Sequence, residues 1–316
     1  MDTIQAAPNS VIDHIVATVL IESDTHKDLW NVPRVVTDPN DPSVGVLSVN
    51  VADRHGKDKS FGRHYFVTQD GFETIDEVSE KPERFLRIDR RLIAGHPLLP
   101  GPPGHQFTCP YVRVDDDRVL KIFTVKGEDG KNYTTSAICR VADEGLEPIA
   151  VGNTHTIADS RRGLYEPHTV YWRERWYATA RSEDGRGYRL ESEDGLTWSE
   201  PNAWTWDDGT PVAMDQTMTK LIAHPDGLVL VYTRVRDDNM ETFRHRAPLH
   251  VADLDAERRL IRDTERVIVP NRGLAVGNFW VWPRGDREHL VTTAEWPRDG
   301  RETNGDIWLC RIVWKR

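Results

Sequence analysis

The stretch EPHTVYWRERWYATARSEDGRGYRLESEDGLTWSEPNAWTW, Glu166 to Trp206, decides the fold. It divides into four short segments, EPHTVYW, WYATARSE, GYRLESEDG and PNAWTW, each rich in Val, Tyr, Thr or Trp and each closed by a turn signal. Side chains of a strand alternate between two faces, so such segments suit a half-buried sheet better than a helix, which needs apolar residues three and four apart. The Gly and Asp-Gly positions between them supply the positive φ of tight hairpins. Four strands joined in succession by hairpins make a meander.

The pattern recurs outward. After it come TMTKLIAH, LVLVYTRV, APLHVADLD and RLIRDTERVIV; before it stand TCPYVRVDD, RVLKIFTVKG, TTSAICRVAD and EPIAVGN, and earlier PRVVTD, SVGVLSVNV, RHYFVTQDG and RFLRIDRRL. The tail offers only NFWVWPR, HLVTTAEW and DIWLCRIVW, while the N-terminal DHIVATVLIES has no group of its own. Pairing that first strand with the last group closes a ring and protects the sheet edges. The expectation is an all-β protein, a single five-bladed β-propeller over residues 1–316, at roughly 60 residues per blade against ~40–50 in many propeller repeats. Six or seven blades would need strands inside SEKPERFLRIDRRLIAGHPLLPGPPGH, whose prolines and glycines favour a loop.

With 38% hydrophobic and 29% charged residues, the 316-residue chain has the composition of a globular protein with a substantial core. No apolar run approaches the ~20 residues of a membrane-spanning helix. The opening MDTIQAAPNSVIDH has neither a basic start nor an apolar signal core, so a cytoplasmic location is expected. A net charge of -10 argues against nucleic acid as a partner, although a local Arg cluster could hold a small anion. Cys109, Cys139 and Cys310 lack CxxC spacing, which argues against a disulfide framework and a zinc site and for reduced, buried thiols. No P-loop, dinucleotide fingerprint or nucleophile elbow occurs. No cofactor is expected, though a cation could sit in the central channel.

In SEDGLTW, the residues Ser192, Asp194, Gly195 and Trp198 follow the order of an Asp-box, S-x-D-x-G-x-x-W, and VTQDGFETI at Val67 to Ile75 occupies the same place in another blade, with Thr68 for Ser and Ile75 near the aromatic position. Such a turn is structural: the Asp accepts amide hydrogens, the Gly adopts positive φ and the Trp packs between strands. Together with GLYEPHTVYW, MDQTM, FRHRAPLHVADLD and GNFWV, these segments resemble sialidase-like BNR-repeat proteins over Gly163 to Val281. The resemblance implies a propeller and a glycosidase-type activity. Sialidases hold the sialate carboxylate with three arginines, the first in an FRIP-type motif, and use a Tyr nucleophile assisted by a Glu, with an Asp as acid; here WNVPRV places Arg34 after the Pro. Five-bladed arabinanase-type glycosidases are a looser comparison. Of their three inner-strand carboxylates only Glu166 has a counterpart, since the two preceding blades present His105 with Gln106 and Asn31 with Arg34.

Propeller sites form where the innermost strands converge, so the segments WNVPR, GHQFTCP, LYEPH, MDQTM and GNFW carry the candidates. Tyr165, Glu166 and His168 form the sharpest group: strict alternation would put Glu166 and His168 on one side, a carboxylate and an imidazole able to act as acid and base. Asp215 is the second carboxylate, with Gln216 beside it; a pair of carboxylates can protonate a leaving oxygen and attack carbon or activate water. His105 follows a proline-rich loop as a base or sugar ligand. Arg161, Arg162, Arg181, Arg234, Arg244 and Arg246 could supply forks for an acidic sugar, with Arg244 and Arg246 on one face of RHRAPL, and Asn278 and Glu295 complete the ring. Eleven Trp could add stacking surfaces, or serve packing alone. The expected function is a glycoside hydrolase releasing a terminal sugar from a short, acidic oligosaccharide, with Glu166 and Asp215 catalytic. The alternatives are a uronate or polysaccharide lyase, with His105 or His168 and Tyr165 abstracting a proton beside an Arg-neutralised carboxylate, and a non-catalytic sugar-binding propeller.

Overall fold

The computed structural model describes residues 2–22, 33–52, 61–83, 85, 91–93, 95–296 and 305–316. Its strands are β1 (Asp2–Gln5) and β2 (Ile12–Ile21), then β3 (Arg34–Thr37), β4 (Gly45–Ala52), β5 (Phe61–Thr68) and β6 (Asp76–Val78). Next come β7 (Pro103–Gly104), β8 (Val112–Arg113), β9 (Arg118–Lys126), β10 (Asn132–Ala142) and β11 (Gly145–Val151). The central group is β12 (Tyr165–Trp172), β13 (Arg175–Arg181), β14 (Gly187–Ser192) and β15 (Asn202–Ala203), followed by β16 (Lys220–His224), β17 (Gly227–Tyr232), β18 (Leu249–Asp253) and β19 (Arg266–Val269). The chain ends with β20 (Ala275–Arg284), β21 (Glu288–Trp296) and β22 (Ile307–Trp314).

These strands form five antiparallel sheets, the blades of a five-bladed β-propeller. The N-terminal strand completes the last blade: the order is β1-β2-β22-β21-β20, with Ile15 opposite Ile312 and Ala17 opposite Cys310. Two blades depart from the sequence expectation. The first takes β6 as its fourth strand in place of RFLRIDRRL, of which residues 84, 86–90 lie outside the described set, while Leu92 makes an isolated bridge to Leu146. In the second, the inner edge is two short pieces, β7 and β8, both paired with β9 and separated by a 3-10 turn at Gln106–Thr108.

The chain divides into two compact units, residues 1–87, 235–251 and 263–316, and residues 88–234 and 252–262. In the first, Val35, Leu47, Phe66, Phe72, Trp280 and Leu290 share one core. In the second, Leu120, Ile122, Trp176 and Trp198 make one cluster, and Tyr177, Trp204, Leu221 and Leu230 another. Most described Trp residues are packing elements whose ring N–H is also used. Trp198 donates to Ser136 Oγ at 2.9 Å, Trp172 to the His224 carbonyl at 2.6 Å and Trp280 to the Val35 carbonyl at 3.0 Å. Each of these bonds ties one sheet to the next, which a purely apolar side chain could not do.

The two Asp-Gly turns fold alike. Asp194 Oδ1 accepts the amides of Leu196 and Thr197 at 2.8 and 2.6 Å, and the Gly195 amide donates to Ser192 Oγ at 2.9 Å. Asp70 Oδ1 accepts the amides of Glu73 and Thr74, both at 3.0 Å, and Thr68 Oγ1 receives the Phe72 amide at 2.9 Å. The second turn is one residue longer, with both Gly71 and Phe72 at positive φ, so Phe72 rather than Ile75 supplies the buried aromatic. Gly195 has φ +75, which favours glycine, and an added Cβ would lie 2.3 Å from Leu120 Cδ1 and force that buried side chain to shift.

Partial burial opposes ionisation of Asp194, but the Thr197 and Leu196 amides and the Thr197 and Ser192 hydroxyls outweigh it and hold the carboxyl down at about 2. A carboxyl depressed on folding stabilises above its unfolded value and loses that contribution as pH falls to its folded value. Thermal denaturation of Asp194→Asn should therefore show a shallower loss of stability than the wild type between about pH 4 and about pH 2. Parallel curves over that window would contradict it.

Candidate functional site

In the unit formed by residues 88–234 and 252–262, the candidate residues gather around Arg181. This residue lies at the end of β13, opposite Tyr165, and its side chain is 6% exposed. Its Nη2 donates to Glu166 Oε1 at 2.6 Å, its Nη1 donates to the Gln216 carbonyl, and its Cζ lies 4.5 Å from the Tyr165 ring centroid. A buried guanidinium needs such a set, because an unpaired charge in the interior is heavily penalised.

Reaching Arg181 demands unusual backbone. Between Tyr165 and His168 the register of β12 shifts by a bulge, and Glu166 adopts φ +53. Bulges re-aim side chains. Gln216 and His105 are also left-handed, at φ +43 and +46. For non-glycine residues this conformation costs about 1–2 kcal/mol each, a strain that concentrates at functional positions. The bulge also breaks the alternation on which a Glu166–His168 pair depended. His168 is instead buried, with Nδ1 accepting the Leu221 amide at 3.3 Å. Burial, reinforced by Lys220 and Lys121, pushes its protonation far below the ordinary histidine range, leaving a neutral packing residue.

His105 takes the place beside Glu166 that alternation had given to His168. Its Nε2 lies 4.0 Å from Glu166 Oε1, its Nδ1 is hydrogen-bonded to Thr124 Oγ1 at 2.7 Å, and its ring is 5.6 Å from that of Tyr165. Burial lowers its pKa; Glu166 pulls the other way, while Arg181, Arg162 and Lys126 add to the lowering. Arg162 Cζ lies 4.4 Å from the Tyr165 ring, and this guanidinium pairs with Glu183 at 3.5 Å while remaining 37% exposed. Arg161 pairs with the same Glu183 and is largely in solvent. The Tyr165 hydroxyl is buried and has no hydrogen-bond partner among the described residues. Burial raises its pKa against the opposing influence of Arg181 and Arg162. Asp215 is half-buried immediately before Gln216, and Arg234 rests 5.5 Å from the Trp206 ring.

The other unit holds a second group. Asn278 sits at φ +55 in a bulge of β20 between Gly277 and Trp280, the same device that carries Glu166. Arg246 is buried with Cζ 5.6 Å from the Trp296 ring, and the Phe243 ring meets the same indole edge-on with centroids 5.4 Å apart. Gly277 packs closely here: a Cβ would come 3.1 Å from Arg246 Nη1 and 3.3 Å from Trp296 Nε1, so any side chain would have to displace these groups slightly. RHRAPL is no strand at its start: Phe243–His245 form a 3-10 turn with Arg244 and His245 both left-handed, so alternation does not set their faces. Glu295 is 2% exposed, accepts the Asp306 amide at 3.2 Å and lies 3.5 Å from Arg272 Nε, with burial raising its pKa against the pull of Arg272. Arg34 lies 5.3 Å from the Trp280 ring; Asn31 is outside the described residues.

Sequence reasoning passed over Thr124, Thr108, Lys121 and Lys220, all buried or half-buried around His105. A signal existed for the lysines: each interrupts an apolar strand, in RVLKIFTV and TMTKLIAH. Cys109, Cys139 and Cys310 are free and buried, and no group of three or more His, Cys, Asp or Glu among the described residues could hold a metal ion. Among the described residues no helix is long and apolar enough to cross a membrane.

The sequence matches no protein family and no curated protein. Solved structures do share the fold. Trypanosoma rangeli sialidase in complex with the inhibitor DANA superposes with TM-score 0.58 at 11% identity, over 94% of this chain and 59% of the sialidase; the complex with sialic acid gives 0.56 at 10%, over 98% and 60%. A protein of unknown function from Dyadobacter fermentans gives 0.50 at 13% identity, over 90% and 76%. The chain spans about 60% of the length of the sialidases it matches.

The Arg181–Glu166 pair should behave as one unit. Glu166→Ala strands a buried guanidinium and should lower unfolding stability by about 3–5 kcal/mol, and adding Arg181→Met should restore part of that loss. Chemical denaturation of both single variants and the double variant measures this, and strictly additive losses would refute the coupling.

Proposed function

We propose that the protein is a glycoside hydrolase that releases a terminal sugar from a short, acidic oligosaccharide, with its chemistry at Glu166. The observation that carries this reading is the Glu166 carboxylate, held on a left-handed bulge, 2.6 Å from Arg181 and 4.0 Å from His105. Fold likeness to sialidases adds a fold-level warrant, since the same architecture hosts many activities.

A carboxylate already committed to a guanidinium is suited to act as base or nucleophile, not as proton donor. Asp215 is then the acid that protonates the leaving oxygen. The separation of the two carboxyls in the substrate complex sets the outcome: about 5–5.5 Å gives retention and about 6.5–9.5 Å inversion. His105, kept neutral by burial, offers one ring nitrogen to a sugar hydroxyl while Thr124 engages the other. Arg162, which lies against the Tyr165 ring and keeps solvent access, anchors the sugar's acidic group.

The lyase alternative draws on a separate observation, the Tyr165 hydroxyl buried without a partner among the described residues beside two arginines and an imidazole. There Tyr165 or His105 would abstract the proton and Arg162 would neutralise the neighbouring carboxylate. Products separate the two. Incubation with acidic and neutral oligosaccharides should yield reducing ends without ultraviolet absorbance. Absorbance rising with product would transfer the assignment to the lyase, and unchanged ligand would indicate a sugar-binding propeller. Glu166→Gln and Asp215→Asn should each lower kcat by roughly 10²–10⁴-fold, the usual contribution of a positioned acid or base. Arg162→Met should act chiefly on KM.

A further inference from the structure

The turn that carries His105 is held by two lysines whose ammonium groups are almost wholly out of water. Lys220, on β16, is 0% exposed and donates to the Thr108 carbonyl; Lys121, on β9, is 3% exposed and donates to the carbonyls of Gln106 and Cys109 at 2.6 and 2.5 Å. A single 3-10 turn leaves its last carbonyls without partners along the chain, so donors must come from elsewhere. A neutral amide or hydroxyl could satisfy them. Burying an ammonium ion is far more expensive than burying either, so the charge and its long reach serve more than hydrogen-bond closure.

Thr108 shows what the turn is fixed against. Its Oγ1 lies 2.8 Å from the His105 carbonyl and 2.9 Å from the Pro167 carbonyl, the residue that follows Glu166. One hydroxyl thus bridges the backbone of the His105 turn and the bulge that presents Glu166. The lysines grip the same residues, from Gln106 to Cys109, on the carbonyl side.

We propose that Lys220, Lys121 and Thr108 are positioning residues, which fix the 106–109 turn in the place that sets the His105 imidazole against the Glu166 carboxylate. None of the three is given a part in the chemistry. The catalytic meaning rests on the hydrolase reading above, whereas the geometric claim stands without it. The groups that face His105 are Glu166, which favours its protonation, and Arg181, Arg162 and Lys126, which oppose it, with the Tyr165 ring alongside; burial is the largest influence and lowers its pKa.

The test is an NMR titration of the His105 ring in the full-length protein, compared with Thr108→Val, Thr108→Ser and Lys220→Met. The wild type should titrate below the ordinary value of about 6.5, and Thr108→Val, which changes no charge, should move His105 up towards it as the ring leaves its buried seat. Thr108→Ser, retaining the hydroxyl, should titrate as the wild type. Lys220→Met should shift in the same direction as Thr108→Val, and if it fails to fold Thr108→Val decides. An unmoved His105 in Thr108→Val, or a Thr108→Ser shift equal to that of Thr108→Val, overturns the proposal. If glycosidase activity is present, kcat/KM of Thr108→Val should drop by roughly 10- to 100-fold, as for a misplaced catalytic group, with the acid limb of its pH profile following the His105 titration. Activity with an unmoved His105 refutes the positioning claim alone; a moved His105 without sugar turnover refutes the hydrolase reading alone.

Discussion

A guanidinium on a side chain only 6% exposed must be neutralised where it lies, and much of the local structure around Arg181 follows from that demand. Glu166 reaches it only from a bulged, left-handed position, and the Gln216 carbonyl reaches it only because that residue too is left-handed. The Tyr165 ring completes the enclosure with its π face. The strain is then a by-product of neutralisation, and it leaves a carboxylate, an imidazole and a phenol within a few ångströms of one another. An interior hydrophobic contact would have held the strands together without creating reactive geometry.

The rest of the propeller makes this local strain affordable. Repeated hairpins, tryptophans that both pack and hydrogen-bond to the next sheet, and Asp-Gly turns with several amides on one carboxylate are each ordinary stabilising devices. Asn278 repeats the bulge of Glu166 in another blade, so the inner-edge bulge is a recurring construction.

Blade count, most of the strands and the closing N-terminal strand could be read from alternation and turn residues, because a period of two and an Asp-Gly turn are written in adjacent residues. The polar residues of the inner strands could be picked out as candidates, but not the directions in which they point. Strict alternation paired Glu166 with His168, and one bulge removed that pairing and left His105 as the imidazole near the carboxylate. A bulge and a left-handed residue have no signature in Tyr-Glu-Pro-His, since they answer a charge supplied by Arg181 from the neighbouring strand. RHRAPL failed likewise, because a 3-10 turn replaced an expected strand. The two lysines were visible as charges inside apolar runs, yet their targets, three backbone carbonyls of a distant turn, could not be seen.

The pairing of β2 with β22 has a consequence for synthesis. The strand that carries Ile15 finds its partner at Ile312 only after the residues between them, about 300, have been made. At ~5–20 residues per second that wait is on the order of 15–60 seconds. Throughout it, an apolar ten-residue strand has one edge open to any other nascent chain, covered on its other side by no more than the four residues of β1. The same joint that seals the ring in the finished protein is thus its period of greatest exposure to misassembly, and crowded translation or slow codons between the two strands would lengthen it.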